Sequence, residues 1–587
     1  MTTQLAGHLI VECLAAQGAT HAFGVPGESY LAVLDGFHAY ADRIRFVVCR
    51  QEGGAAFMAE AHGKLTRRPG VCFVTRGPGA TNASIGLHTA FQDSTPMVLL
   101  VGDVGSDFRD REAFQEVDFQ TFFGPSTKGM AKRVERIDDA RRIPEAIARA
   151  FATAMNGRPG PVVLVLPEDM LRKTVDAAPL PRVEAAEAAP TPEALPQLRD
   201  LLANAKRPFV IAGGSGWTPE AAIALEQFAE QWHLPVGNAF RFQDTFCNHH
   251  RLYAGDVGIG INPLLAARIR DDADLILAIG PRLGEMTTSG YTLLNAPLPR
   301  QKLIHIHAGA EELGRVYQPT LAINATLPAA ARALAALASP AECAWQAWSD
   351  SAHRDYLVNL QPQALSGLDS NQPAAVDMPA VISALQRHLP PDAVLTNGAG
   401  NFASWLHRYF RFTGIAHGHK TQLAPTSGAM GYGVPAGIAA GIVSQGSNAG
   451  QRVVFTIAGD GDFLMNGQEL ATAAQYGARS IILLLDNAMF GTIRMHQERE
   501  YPAHDGENSG TRLKNPDFCA LAVAYGYAAE RVNDAPSFEA ALIRALERSE
   551  SGTLILMPLS PDIISTRTTL SSIRAKALAS QETPTAP

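Results

Sequence analysis

The 587-residue chain has only six cysteines, standing apart at positions 13, 49, 72, 247, 343 and 519. No CxxC pair occurs among them, which removes a zinc knuckle or a disulfide framework. No uninterrupted apolar run reaches the roughly 18 residues that a membrane span needs. Basic charge is not in excess either: the formal net charge is -8 and charged residues make up 18% of the chain. That leaves no electrostatic footprint for nucleic acid or an anionic membrane as partner. The opening residues, MTTQLAGHLIVECLAAQG, lack the basic start and apolar run of a signal peptide and read as an amphipathic helix. A cytoplasmic protein is the expectation. Short tandem repeats are missing too, and so is a G-x-G-x-x-G opening a helix, since AGGSGW does not supply that spacing. A nicotinamide-dependent dehydrogenase, the reading that Gly-bearing strand ends first suggest, loses its main support with it.

Apolar residues, at 46%, fit a globular protein. The length exceeds one ordinary core and suggests domains of roughly 150–200 residues. Three segments read as α/β units. RFVVCR, GVCFVT, PMVLLVG and GRPGPVVLVLPEDM carry the strands of the first; RPFVIAGGSG, ADLILAIGPRLGE and KLIHIHAGAEELG those of the second; DAVLTNGAGNF, RVVFTIAGDGDF, SIILLLDNAMFG and TLILMPLS those of the third. Short apolar runs separated by helical patterns predict buried parallel strands. The expected fold is α/β, with three doubly wound parallel-sheet domains over 1–175, 190–345 and 376–565. Asp176–Pro192 and Gln361–Asp377 read as linkers, and the tail after Arg574 as frayed. The first and third segments could be related folds.

Two loops of the third segment carry chemistry. The strand VVFTIA delivers Gly459, Asp460 and Gly461, and after 24 further residues a second strand delivers Asp486 and Asn487. An intervening crossover helix would set the two loops side by side at the carboxyl ends of neighbouring strands, where parallel sheets bind ligands. Asp460 and Asn487 offer hard oxygens suited to magnesium, and the glycines allow close approach of a phosphate. A helix N-terminus just beyond Gly461 would favour the anion. GDG alone is an ordinary turn. The second loop at this interval makes a metal-diphosphate site the better reading.

This spacing resembles the thiamine diphosphate signature, GDG followed at such an interval by NN, with Asp486 in place of the first Asn. The resemblance implies Asn487 and the Met489 carbonyl as metal ligands beside Asp460. Thiamine chemistry also needs a carboxylic acid against N1′ of the aminopyrimidine, poorly solvated so that it holds a proton near neutral pH. Glu52 follows the strand RFVVC among Gly53, Gly54 and Ala55. By position alone it could be a helix-capping acid. The stretch CRQEGGAAFMAEAHGKLTRRPGVCFVTRGPGATNA, however, resembles the pyrimidine-binding domain of acetolactate synthases, where the aligned Glu is that partner.

The resemblance runs through most of the chain. HAFGVPGESYLAVLDGF, TRGPGATNASIGLHTAFQDSTPMVLLVGD and AFQEVD continue the first domain, and Gln115 falls on an active-site amide of the family. TSGAMGYGVPAGIAA places Met430 where an apolar residue bends the cofactor, a proximity device; on composition alone this Met is packing filler. GAGNF makes Gly400 and Asn401 candidates for the diphosphate. The family's other cofactor contacts fall on Gly27, Ser427, Gly459, Gly461, Asp462, Met489 and Phe490.

Departures are local. The family's central domain binds FAD. Here Gly213, Gly214 and Arg282 remain, while acidic positions have become His307 and Gly309, so FAD stays an open expectation. A Lys of the family is Glu168. A bulky Trp shaping the acceptor pocket is His496; a His on a helix by itself reads as surface or satisfied core, while its place after the Asp486–Asn487 loop suggests a pocket role as proton donor or hydrogen bond to substrate.

The expected function is a thiamine diphosphate- and Mg2+-dependent decarboxylation of a pyruvate-like 2-oxo acid, with carboligation to a second carbonyl. A non-ligating decarboxylase or C–C lyase is the alternative within the family. A regulator built from a decayed enzyme would not need Glu52, Asp460 and Asn487 together. The family also implies a homodimer or homotetramer with active sites at the dimer interface.

Overall fold

The computed structural model describes residues 3–124, 129–362, 376–445, 451–503 and 509–582. Most of the second expected linker, Gln361–Asp377, lies outside them. Within this set the chain forms three six-stranded sheets, each wholly parallel. The N-terminal sheet uses His21–Gly24, Arg45–Val48, Gly70–Val74, Met97–Asp103, Arg133–Arg136 and Pro161–Pro167. Numbered along the chain, its strands lie in the order 2-1-3-4-6-5. The C-terminal sheet, Val394–Asn397, Gln422–Leu423, Val454–Gly459, Ile481–Asp486, Ala528–Arg531 and Thr553–Pro558, repeats that order. The first and third segments therefore share a topology. The central sheet, Pro208–Ala212, Val236–Ala239, Tyr253–Val257, Leu275–Ile279, Lys302–His307 and Leu321–Asn324, has the order 3-2-1-4-5-6.

Strands such as Met97–Asp103 and Pro161–Pro167 are buried at every residue, as expected where helices cover both faces. Each interval read from the sequence contains one of the six-stranded sheets, and the first also holds a two-stranded antiparallel pair, Gln4–Leu5 with Thr174–Val175. By packing, however, the chain divides into two compact units. One runs to Tyr356 and takes in Thr413–Thr421; the other comprises Leu357–Phe412 and the chain from Gln422 onward. Among the described residues no helix is long and apolar enough to cross a membrane.

Three local expectations change. Asp176–Pro192 is not a loose tether but an extended strap. The buried Gln17 side chain donates to the carbonyls of Leu180 (3.2 Å) and Pro181 (3.1 Å) and accepts from Val183 N–H (2.9 Å), and Thr326 N–H donates to Ala188 (2.9 Å). The crossover after Gly459 is not one helix. It runs as Asp460–Asn466, a 3₁₀ turn Gly467–Glu469, and Leu470–Tyr476, closed by Gly477 at φ +63°. Finally, the chain is helical rather than frayed from Arg574 to Glu582, within a helix that spans Leu570–Glu582, and the remainder of the expected tail lies outside the described residues. The first turn of that helix is held by Asp562 Oδ1, which accepts from Ser571 N–H (2.7 Å), and Arg574 reaches the buried Glu498 (3.7 Å).

Candidate active site

In the order 2-1-3-4-6-5 the chain leaves strand 1 in one direction and strand 3 in the other. The crevice beyond their carboxyl ends is where such sheets take ligands. In the N-terminal sheet those ends are Val25–Gly27 and Thr75–Gly79. Glu52 follows the adjacent strand 2 as the first residue of the helix Glu52–Thr66, whose N-cap Gln51 accepts from Gly54 N–H (3.1 Å). Glu52 Oε2 accepts from Asn82 Nδ2 (2.9 Å), and a Cβ added to Gly79 would sit 3.4 Å from its other oxygen.

Gln115 reaches the same corner. Its carbonyl accepts from Gly77 N–H (2.9 Å), and its backbone is held at φ +63°. A non-glycine residue in that region costs of order 1 kcal/mol or more and persists only where neighbours enforce it. Gly27 closes against Thr75, whose Cβ would be 2.5 Å from an added methyl. Segment 75–79 thus gathers Gly27, Glu52 and Gln115. Glu168, the departure from the family's Lys, has a structural partner here: its Oε2 accepts from Arg76 Nη2 (3.0 Å).

In the C-terminal sheet the corresponding ends are Gly398–Phe402 and Asp460–Asp462, joined by the end of strand 4 at Asn487–Phe490. They line a cavity of about 240 Å³ that also takes in Gly428, Met430, Gly459 and Thr492. Gly428 and Met430, rather than the half-buried Ser427 of the same loop, form that wall. Asp460 is 3% exposed, and burial pushes its carboxyl up to about 6, with the nearby Asp486 adding to the shift. Among the described residues no Lys or Arg pairs with it.

Asp462 turns inward instead: its Oδ1 accepts from Ala399 N–H (3.2 Å) and Gly431 N–H (2.9 Å), bracing two loops of the cavity. Asn401 is engaged as well. Its Oδ1 accepts from Thr492 Oγ1 (3.2 Å), and its Nδ2 points at Met495 Sδ (3.3 Å). Gly459 and Gly461 have a reason the sequence did not show. A Cβ at 459 would lie 2.7 Å from the Phe402 ring, and one at 461 would lie 2.6 Å from Phe490. The helix expected just past Gly461 begins at Asp460. The loop after strand 4 is pinned from behind: Leu513 N–H donates to Ala488 (2.8 Å) and Phe490 N–H to Thr511 (2.8 Å), with Ala488 at φ +53°.

Comparison with known proteins decides what these halves are. The family model for the thiamine pyrophosphate enzyme N-terminal TPP binding domain matches residues 5–122, that for the central domain 195–334, and that for the C-terminal TPP binding domain 398–556. The acetolactate synthase large subunit of Corynebacterium glutamicum is 32% identical over 558 residues, covering 93% of this chain and 85% of that protein. The acetolactate synthase isozyme 2 large subunit of Escherichia coli is 30% identical, with 91% and 92% covered.

The chain belongs to the thiamine pyrophosphate enzyme family.

Thiamine pyrophosphate, or diphosphate, is thus the cofactor its domains are built for, and the residues present fit the two groups. A glycine-rich cavity at a switch point suits a diphosphate, and a buried carboxylate without a cationic side-chain partner suits a divalent ion. The thiamine pyrophosphate enzyme signature guided the reading to Asp460 and Asn487. It missed Asn82, which holds Glu52, and Asn515, whose Nδ2 donates to both Asp460 Oδ2 and Asp486 Oδ1 at 2.8 Å. No spacing links Asn515 to the signature; only the fold brings it there. His496 is exposed, with its ring 3.5 Å from Arg499 Nη1.

Proposed function

We propose that the protein decarboxylates a pyruvate-like 2-oxo acid with thiamine diphosphate and Mg2+ and joins the remaining unit to a second carbonyl compound. What carries this reading is the pairing of Glu52 in one cofactor-binding domain with Asp460 and Asn487 in the other, in a chain similar to acetolactate synthase large subunits along more than nine-tenths of its length. Bound thiamine diphosphate supplies a nucleophilic carbon that also accepts the electron pair left by decarboxylation.

In this reading the chain's residues divide the work. Asp460, Asn487 and the Met489 carbonyl hold the metal. Gly400, Asn401, Gly459, Gly461 and Phe490 would contact the diphosphate half, with Asp462 keeping their loops in register. Met430, which lines the same cavity, would pack against the cofactor. Gly27 leaves room for the pyrimidine ring, Glu52 shares a proton with its ring nitrogen, and Gln115 faces the substrate. Incubating the protein with pyruvate, thiamine diphosphate and Mg2+ should yield one CO2 and one acetolactate from two pyruvates, read by mass spectrometry. Acetaldehyde as sole product would assign the non-ligating decarboxylase instead, and untouched pyruvate would overturn the donor.

Asp460→Ala and Asn487→Ala should each weaken Mg2+-dependent cofactor binding, because the diphosphate then loses part of its neutralising cation. Calorimetric titration with and without Mg2+ checks this. Affinity unchanged in both variants would move the metal elsewhere.

A flavin dinucleotide does not fit the central sheet. Its switch point keeps the glycines, Gly214 at φ +78° and Gly280 at φ +90°. The resembled family carries acids at the end of the fifth strand, where a ribose hydroxyl would find an acceptor. His307 stands there, buried, lowered to about 4 by that burial, with Nδ1 accepting from Gly309 N–H (2.9 Å). The nearby Glu312 is already taken by Arg158 (2.7 Å) and Arg315 (2.9 Å), with Arg282 at 3.6 Å. We infer a flavin-free enzyme.

Homo-oligomerisation is part of the proposal. Each half-site is rimmed by exposed apolar side chains: Ile85 and Phe114 beside the Glu52 corner, Leu464 and Met465 on the helix after Asp460. Such clusters mark contact surfaces. A two-fold partner would cover them and complete the burial of Glu52.

A further inference from the structure

The signature that Asp460 and Asn487 resemble has an amide at the position of Asp486, and here a carboxylate replaces it. Asp486 Oδ1 performs two duties. It accepts from Ala488 N–H (3.1 Å), closing the turn that carries Asn487, and from Asn515 Nδ2 (2.8 Å). The same Nδ2 lies 2.8 Å from Asp460 Oδ2. One neutral amide therefore bridges two carboxylates, one of them almost fully buried. The amide's own carbonyl, Asn515 Oδ1, is buried without a hydrogen-bond partner among the described residues. The two carboxylates, not that oxygen, set the amide's orientation. An Asn at 486 could accept both bonds through its Oδ1. What it could not supply is the charge.

We propose that Asp486 is a positioning residue of the metal site, which through the Asn515 amide holds the Asp460 carboxylate and adds a second negative charge that tightens divalent-cation binding. This rests on the metal-diphosphate reading above. Two like charges held this close repel when no cation is present, and a divalent ion beside Asp460 turns that repulsion into attraction. Groups behind a ligand that orient and polarise it commonly govern affinity by about 10–100-fold. The carboxylate at 486 thus trades stability of the metal-free protein for hold on the metal.

The test uses the full chain with saturating thiamine diphosphate and Mn2+, a hard oxygen-seeking ion whose free form is read by electron paramagnetic resonance. Asp486→Asn should raise the Mn2+ Kd about 10-fold or more. Its melting temperature in EDTA should exceed that of the unaltered protein, and that advantage should vanish or reverse in saturating Mg2+, a metal dependence that a merely structural role would not produce. Asn515→Ala, which keeps the charge but removes the bridge, should also weaken Mn2+ binding. Mn2+ affinity within twofold of the parent in both variants overturns the inference, as does a melting difference indifferent to metal. Asp460→Ala separates the two levels. If it abolishes Mn2+ binding while Asp486→Asn does not alter it, only this inference falls; if the unaltered protein binds no Mn2+ beside the diphosphate, the metal-diphosphate reading falls with it.

Discussion

Glu52→Gln should lower kcat by about 10²–10⁴-fold, the usual share of a general acid–base group, while thiamine diphosphate and Mg2+ still bind. The substitution is nearly isosteric. Glutamine offers an oxygen to Asn82 Nδ2, so the 2.9 Å bond that orients position 52 can persist. What it loses is the ability to carry a proton between the carboxyl oxygen and the pyrimidine nitrogen. Cofactor affinity by calorimetry should therefore stay within a few-fold of the parent, because the loops proposed to hold the metal belong to the other domain. Glu52→Asp, which keeps the acid but shortens its reach, should fall between the two in kcat. A kcat close to that of the parent in saturating cofactor would remove Glu52 from the mechanism.

Sequence pattern exposed some features of the fold and site because their causes are local. Gly459–Asp460–Gly461 and Asn487 were legible because two apolar strands, each ending in a polar loop, encode a βαβ unit by themselves. The succession of three parallel α/β domains follows from the same alternation, while the strand order within each sheet does not. What stayed hidden depends on contacts across long sequence separations. Asn515 lies 55 residues beyond Asp460, inside an unremarkable stretch, and only the docking of segment 511–515 against 488–490 makes it part of the site. Gly459 and Gly461 looked like phosphate-approach glycines. Their Cβ positions belong to the rings of Phe402 and Phe490, which no local pattern announces.

Composition marks Asp176–Pro192 as a linker but does not show that its backbone groups are satisfied by Gln17, a buried amide more than 160 residues away. The C-terminal helix was missed because nothing before it in the chain reveals that Asp562 will cap it and Glu498 will receive Arg574.

Mixing Glu52→Gln with Asp460→Ala under conditions that exchange subunits should restore activity that neither variant shows alone. The reasoning starts from placement. Glu52 stands in the N-terminal cofactor-binding domain and Asp460 in the C-terminal one. Each lies beside apolar side chains left in solvent, such as Ile85 (43% exposed) and Met465 (47% exposed). A closed dimer pairs the same surfaces twice, so each site would draw its acid from one subunit and its metal from the other.

In a mixed dimer one site then collects both substitutions and the other collects neither. With random exchange of equal amounts, about half of the dimers are mixed, and each has one intact site of two. The mixture should therefore recover about a quarter of the parent's specific activity, far above the residual of either variant. Subunit exchange is verified independently by tagging one variant and isolating the mixed species. If mixed dimers form and remain as inactive as the variants, Glu52 and Asp460 serve the same site within one chain, and the composite arrangement is wrong.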